Sequence, residues 1–319
     1  MKKQITILAI LLLFAAVYSC KRDKTTEDPP AQTDNYTSTA NFFAVNATPM
    51  QTYTFDAATG GVFTTAKGTV ITVPANAFKT QTGGAVTGNV TIQFKDVYKK
   101  SDMVLNNLTT HCRNVGPMKS AGMFYIKAMQ GANVVGMAPS KNITVAMPVN
   151  GVPIDAQMLP FVLKTDTVPP VWDFSPVDSV VIPVDTGDWL STSYMYHFYN
   201  NSTNNLGNWN NNDNATYFSA YSKTNITLNP LDNITDFGTQ LYLVFTGVNS
   251  IIYMHYLAPN FPYNYAPIGL PCTAVAVGVK DGKLYSSFTP ITISSNLTVN
   301  FSLSETTTDE FKTQLLALL

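Results

Sequence analysis

Charge is scarce in this chain. Of 319 residues only 12% are Asp, Glu, Lys or Arg, and the 19 basic side chains nearly balance the 20 acidic ones. Without a basic patch or stripe there is nothing to hold phosphates, so a nucleic-acid partner is excluded. Histidine is equally sparse. His111, His197 and His255 stand singly with no second histidine at metal-binding spacing, so no metal site or cofactor is expected. Cysteine is limited to Cys20, Cys112 and Cys272, and the last two lie too far apart for a zinc motif. They are expected as separate buried thiols, with a disulfide between them as the alternative. A glycine-rich phosphate loop and a G-x-S-x-G elbow are both missing. Acidic residues concentrate in a proline-rich stretch where no rigid scaffold holds a glycosidase pair. No catalytic residue is expected, and the reading is against an enzyme.

The N-terminus is the most informative part of what is present. Lys2 and Lys3 precede an almost unbroken apolar run from Ile5 to Val17, which ends in the lipobox-like Val17-Tyr18-Ser19-Cys20. The run is shorter than the roughly 20 residues that cross a bilayer as a helix. Residues 1–19 therefore read as a lipoprotein signal peptide; because Tyr18 is larger than the usual residue, an ordinary secretory signal or uncleaved anchor is the alternative. Cys20 is expected as the lipidated first residue of the mature chain, its thiol carrying diacylglycerol and its amine a third acyl chain such as palmitate. Lys21, rather than Asp, after the cysteine favours the outer over the inner membrane. Loss of Lys2 and Lys3 leaves 17 basic against 20 acidic side chains, a net charge of -3. Residues 20–41, polar and carrying the Pro29-Pro30 pair, read as a tether.

Beyond the tether the chain reads as strands and turns. Val90, Ile92 and Phe94 alternate with polar neighbours, and the pattern returns at Phe124, Ile126 and Ala128 and at Ile143, Val145 and Met147. With no long helical period, residues 42–149 predict a β-sandwich. Residues 150–190 intersperse six prolines with six aspartates and predict a linker. Residues 191–305 predict a second β-sandwich, with alternation at Leu241, Leu243 and Phe245 and an Asp281-Gly282 hairpin turn. In the tail, residues 306–319, Thr308 as N-cap, acidic Asp309 and Glu310 in the first turn and apolar Phe311, Leu315, Leu316, Leu318 and Leu319 predict a short helix. The fold class is all-β, two sandwiches after a signal peptide and tether.

Two regions invite a binding reading. The Asn-rich stretch Asn200 to Asn214 has a single carboxylate, Asp213, so an Asx-turn loop is expected rather than a calcium site. Trp209, Tyr217 and Tyr221 around it, and Tyr253, Tyr256, Tyr263 and Tyr265 further on, are candidates for a ligand or partner surface. Core packing is the competing expectation for about half of such aromatics.

Several segments resemble known proteins. Gly68-Thr69-Val70-Ile71-Thr72-Val73-Pro74-Ala75-Asn76-Ala77-Phe78, followed by Gly88-Asn89-Val90-Thr91-Ile92, is similar to the opening of the β-sandwich of ankyrins and netrin receptors. Together with Ser120-Ala121-Gly122-Met123-Phe124 it resembles uncharacterised envelope lipoproteins of the Bacteroidota. Leu206-Gly207-Asn208-Trp209-Asn210-Asn211-Asn212-Asp213 is similar to a G-W-I-N-C-D signature of that group. It departs by the inserted Asn208, by Asn210 for isoleucine and by Asn212 for cysteine. Thr165-Asp166-Thr167-Val168 and Asp178-Ser179-Val180 resemble the group's O-glycosylation pattern, with Thr167 and Ser179 as acceptors. The resemblance implies a fold and a location, not an activity. The expectation is a non-catalytic outer-membrane lipoprotein, structural, adhesive or partner-binding, on the periplasmic or cell-surface face. Its partners would be the membrane through the lipid and an envelope protein or glycan. A surface glycan-binding protein using exposed aromatics is the alternative, and a glycosidase-type enzyme the second.

Overall fold

A computed structural model describes residues 34–148, 155–165, 170–175, 179–181, 193–198 and 206–318. Strands dominate, and alternation explains the first of them. In Asn89–Val97, the side chains of Val90, Ile92 and Phe94 are fully buried while Asn89 faces solvent. This strand belongs to a nine-stranded sheet in the order Gln51–Asp56, Asn89–Val97, Lys119–Gln130, Asn208–Asn214, Leu159–Lys164, Val171–Phe174, His111–Cys112 and Gly116–Pro117. The short strand Asn133–Val134 hairpins onto Lys119–Gln130. A five-stranded sheet, Ser179–Val181, Ser193–Phe198, Ile143–Pro148, Val70–Val73 and Gly61–Thr64, faces it across a core that includes Phe94, Phe124, Ile71 and Val145. The Pro74-Ala75-Asn76 turn closes one end of this core. Asn76 takes a left-handed φ of 56° and donates its N–H to the Ala57 carbonyl at 2.7 Å, which seats Ala77 and Phe78 inside.

The C-terminal half repeats the plan. A three-stranded sheet, Phe261–Pro267, Lys223–Pro230 and Leu297–Phe301, faces the five strands Ile251–Met254, Gln240–Phe245, Pro271–Lys280, Lys283–Thr292 and Ser304–Thr306. Leu241, Leu243 and Phe245 point into the core between them, with Ile226 and Leu228 opposite. Asp281 and Gly282, at φ 51° and 81°, make the tight turn that joins the two longest strands of this half.

A third core unites the halves. Tyr242, Val244, Val275 and Val277, on the reverse of the C-terminal five-stranded sheet, meet Val97, Met123, Phe161 and Trp172 of the nine-stranded sheet. Burial on both faces explains why residues 274–279 form a continuous apolar run rather than an alternation. Helices Thr39–Asn46, Lys100–Leu105 and Thr308–Leu316 insert Phe42, Met103 and Phe311 into the same core. Polar bonds reinforce the junction. Lys100 Nζ donates to the Phe245 carbonyl at 2.6 Å, and Asn249 Nδ2 donates to the carbonyls of Tyr98 at 3.0 Å and Ser120 at 2.9 Å. Asp34–Leu319 accordingly forms one compact unit.

The all-β, sandwich-like expectation holds, and four boundaries move. The body begins at Asp34 rather than residue 42: Tyr36 OH shares a 2.7 Å hydrogen bond with Thr308 Oγ1, and Phe42 and Phe43 are buried. The segment read as a linker supplies strands Leu159–Lys164 and Val171–Phe174, which lie inside the nine-stranded sheet, and Ser179–Val181 at a sheet edge. Strands Ser193–Phe198 and Asn208–Asn214, read as the start of a second sandwich, pair with Ile143–Pro148 and Lys119–Gln130 of the first block, so the second sandwich opens at Lys223. The C-terminal helix is present, but its cap is Thr307. Its hydroxyl accepts from the Glu310 N–H while the Glu310 carboxylate accepts from the Thr307 N–H, a reciprocal capping box. Phe311 and Leu315 dock that helix on the body.

Candidate functional site

The Asn-rich stretch is not a loop where it is described. Residues 208–214 form a strand between Lys119–Gln130 and Leu159–Lys164, with Asn210, Asn211, Asn212 and Asp213 at 0% exposure. Residues 200–205 lie outside the described residues. Asn and Asp are poor strand formers, so tertiary pairing overrides local preference here. Ser120 Oγ donates to Asn211 Oδ1 at 2.9 Å, and Asn211 Nδ2 donates to Asp213 Oδ2 at 2.5 Å. Asp213 Oδ1 and both polar atoms of the Asn212 side chain make no hydrogen bond. Burial holds the Asp213 carboxyl well above the usual carboxylate range, against the bonds from Ser120 and Asn211 that lower it. The strand ends in a part-buried polar collar. Asp155 Oδ2 lies 3.0 Å from Lys119 Nζ and 3.0 Å from Asn214 Nδ2. Burial raises the Asp155 carboxyl, but Asn214, the Gln157 N–H and Lys119 together bring it below its ordinary value.

The candidate aromatics fall into separate places rather than one row. Trp209 is half-buried, edge-on to Tyr125 at 5.9 Å and packed on the junction core. Tyr217, 38% exposed, and Tyr221 flank the buried Phe218, which packs on Phe245. Tyr256 packs on Phe261. Tyr263 and Tyr265 surround His111, whose Nδ1 lies 2.9 Å from Tyr263 OH. Burial pushes the His111 imidazole down to about 4, so it is neutral at ordinary pH. Tyr253 stands apart from these groups, cross-strand from Tyr242.

Tyr253 lines a cavity of about 140 Å³ where the two halves meet. Leu163 and Pro170 supply apolar wall, and Asn107, Thr109 and His255 supply polar groups. Asn107 sits at a left-handed φ of 52° just beyond helix Lys100–Leu105. The buried Tyr242 hydroxyl donates to its Oδ1 at 2.5 Å and fixes the amide. Thr109 is occupied: its hydroxyl accepts from the Tyr253 N–H at 3.2 Å, and its carbonyl accepts from Trp172 Nε1 at 2.5 Å. Sequence reasoning missed this cavity. His255 is visible only as a lone histidine, and nothing local marks Asn107 or Pro170 as its neighbours.

Cys112 and Cys272 are free and buried, in agreement with separate thiols. Burial pushes each thiol up to about 12, with the Asp213 charge adding to the shift at Cys112. Among the described residues no group of three His, Cys, Asp or Glu is placed to hold a metal ion, and no helix is long and apolar enough to cross a membrane. Ser179 opens a short edge strand, while Thr167 and Cys20 lie outside the described residues. Comparison with family models finds no match to this chain, and comparison with curated proteins finds none either.

Proposed function

We propose that the chain is a non-catalytic lipoprotein of the outer membrane, held by acyl chains on Cys20 and presenting a rigid β-body for structural, adhesive or partner-binding work. The observation that carries this reading is the basic start, short apolar run and lipobox-like end that converge on Cys20. Each buried CH₂ contributes about 0.8 kcal/mol, so three chains anchor durably where one would exchange. The 13 residues from Lys21 to Thr33 reach at most roughly 45 Å, which keeps the body near the membrane. The resemblance to Bacteroidota envelope lipoproteins points the same way. Replacing the anchor residue tests the reading: Cys20→Ala should leave an unprocessed precursor or release the chain from the membrane fraction. Normal processing and acyl labelling of that variant would overturn it.

A further inference from the structure

The junction cavity joins a fixed amide, a phenol and an imidazole with apolar walls, and we propose that it binds a single neutral sugar ring, such as the end residue of an envelope glycan. This rests on the reading of the body as a binding element, and it goes beyond it by assigning a site and a ligand class. Three observations carry it.

The first is unspent hydrogen-bonding capacity. Among the described residues, the Tyr253 hydroxyl, the His255 ring and Asn107 Nδ2 have no partner, although all three residues line one small space. Tyr253, in strand Ile251–Met254, and His255, one residue past its end, both line the cavity. The Tyr242 bond to Asn107 Oδ1 leaves the amide nitrogen as a positioned donor. Sugar hydroxyls need such a mixture, because each both donates and accepts.

The second is charge. Among the described residues no Asp, Glu, Lys or Arg lines the cavity, so a phosphate, carboxylate or ammonium ligand would lose its hydration without an ionic partner from them. A neutral ring with one apolar C–H face does not meet that cost. Leu163, Pro170 and the Tyr253 ring offer it a matching surface.

The third is size. At about 140 Å³ the cavity is well below the roughly 300–1,000 Å³ of sites for drug-sized ligands, so it admits one ring and not an oligosaccharide. It also lies between two sheet systems, where ligand sites concentrate.

The test uses the full chain in a zwitterionic detergent without a sugar headgroup. Saturation-transfer NMR would be run against a panel of neutral hexoses and N-acetylhexosamines, with glucuronate and glucose 6-phosphate as charged controls. We expect saturable binding of at least one neutral sugar in the millimolar range, weakened at least tenfold in His255→Ala and in Tyr253→Phe. His255 is partly exposed and has no hydrogen-bond partner among the described residues, so its removal leaves the fold intact, and an unchanged melting temperature checks this. Failure of every neutral sugar to saturate, preference for the charged controls, or unchanged affinity in both folded variants would overturn the proposal. Acyl labelling at Cys20 is read separately on the same preparation, so loss of the sugar site and loss of the lipoprotein reading are distinct results.

Discussion

Trp172→Ala is expected to remove about 4–5 kcal/mol of stability, enough to bring a domain with a typical 5–15 kcal/mol close to unfolding. Trp172 has 0% exposure and sits in the junction core with Phe161, Tyr242 and Phe42. Truncating a large buried aromatic costs about 3–5 kcal/mol through lost contacts and the cavity left behind. The lost bond from Nε1 leaves the buried Thr109 carbonyl short of a partner, at a further cost of about 1 kcal/mol or more. Trp209, partly buried at the margin of the same core, should cost less, about 1–2 kcal/mol when replaced by Ala, because part of its ring stays in water. Denaturant titration of the two variants compares them directly. A Trp172→Ala variant less destabilised than Trp209→Ala would contradict the shared core between the halves.

The second large effect concerns pH. Asp213 is fully enclosed, and burial raises its folded-state pKa above the unfolded value of about 3.9. Below the unfolded value both states hold the proton and the group is without effect on stability. As pH rises past that value, the unfolded chain releases a proton that the folded chain keeps, so stability falls until the folded pKa is passed. Asp213→Asn retains the shape and removes the titration. The variant is expected to flatten this part of the stability profile and to gain on the parent as pH rises above about 4. Each kcal/mol corresponds to about 2–4 °C in melting temperature for a body approaching this size. A parent whose stability rises over that range at this position, with the variant losing ground, would show Asp213 to be ionised and paired in the folded state.

Strands with one buried face were legible because period-two alternation follows from the pleat, as in Asn89–Val97 and Ile143–Pro148. The Asp281-Gly282 turn and the C-terminal helix were legible from their local turn and capping residues. What was illegible depends on non-local pairing. Pro160 lies in the nine-stranded sheet because only its carbonyl is asked to bond, accepting from the Ser175 N–H at 2.9 Å. A proline count therefore misplaced the strand that carries Leu163 and its neighbour that carries Trp172. The run Asn210 to Asp213 reads as loop by composition, yet it crosses the sheet interior where Ser120 and its own neighbours satisfy part of it. Of the binding candidates, Tyr253 alone lines the cavity. Its partners Asn107 and Leu163 come from distant segments whose meeting no spacing encodes.

Mass spectrometry of the natural chain's N-terminal peptide tests the lipoprotein claim most directly. The account predicts that the mature chain begins at Cys20 and carries diacylglycerol on the thiol and a third acyl chain on the amine. A mature chain that begins elsewhere, or begins at an unmodified Cys20, would contradict it.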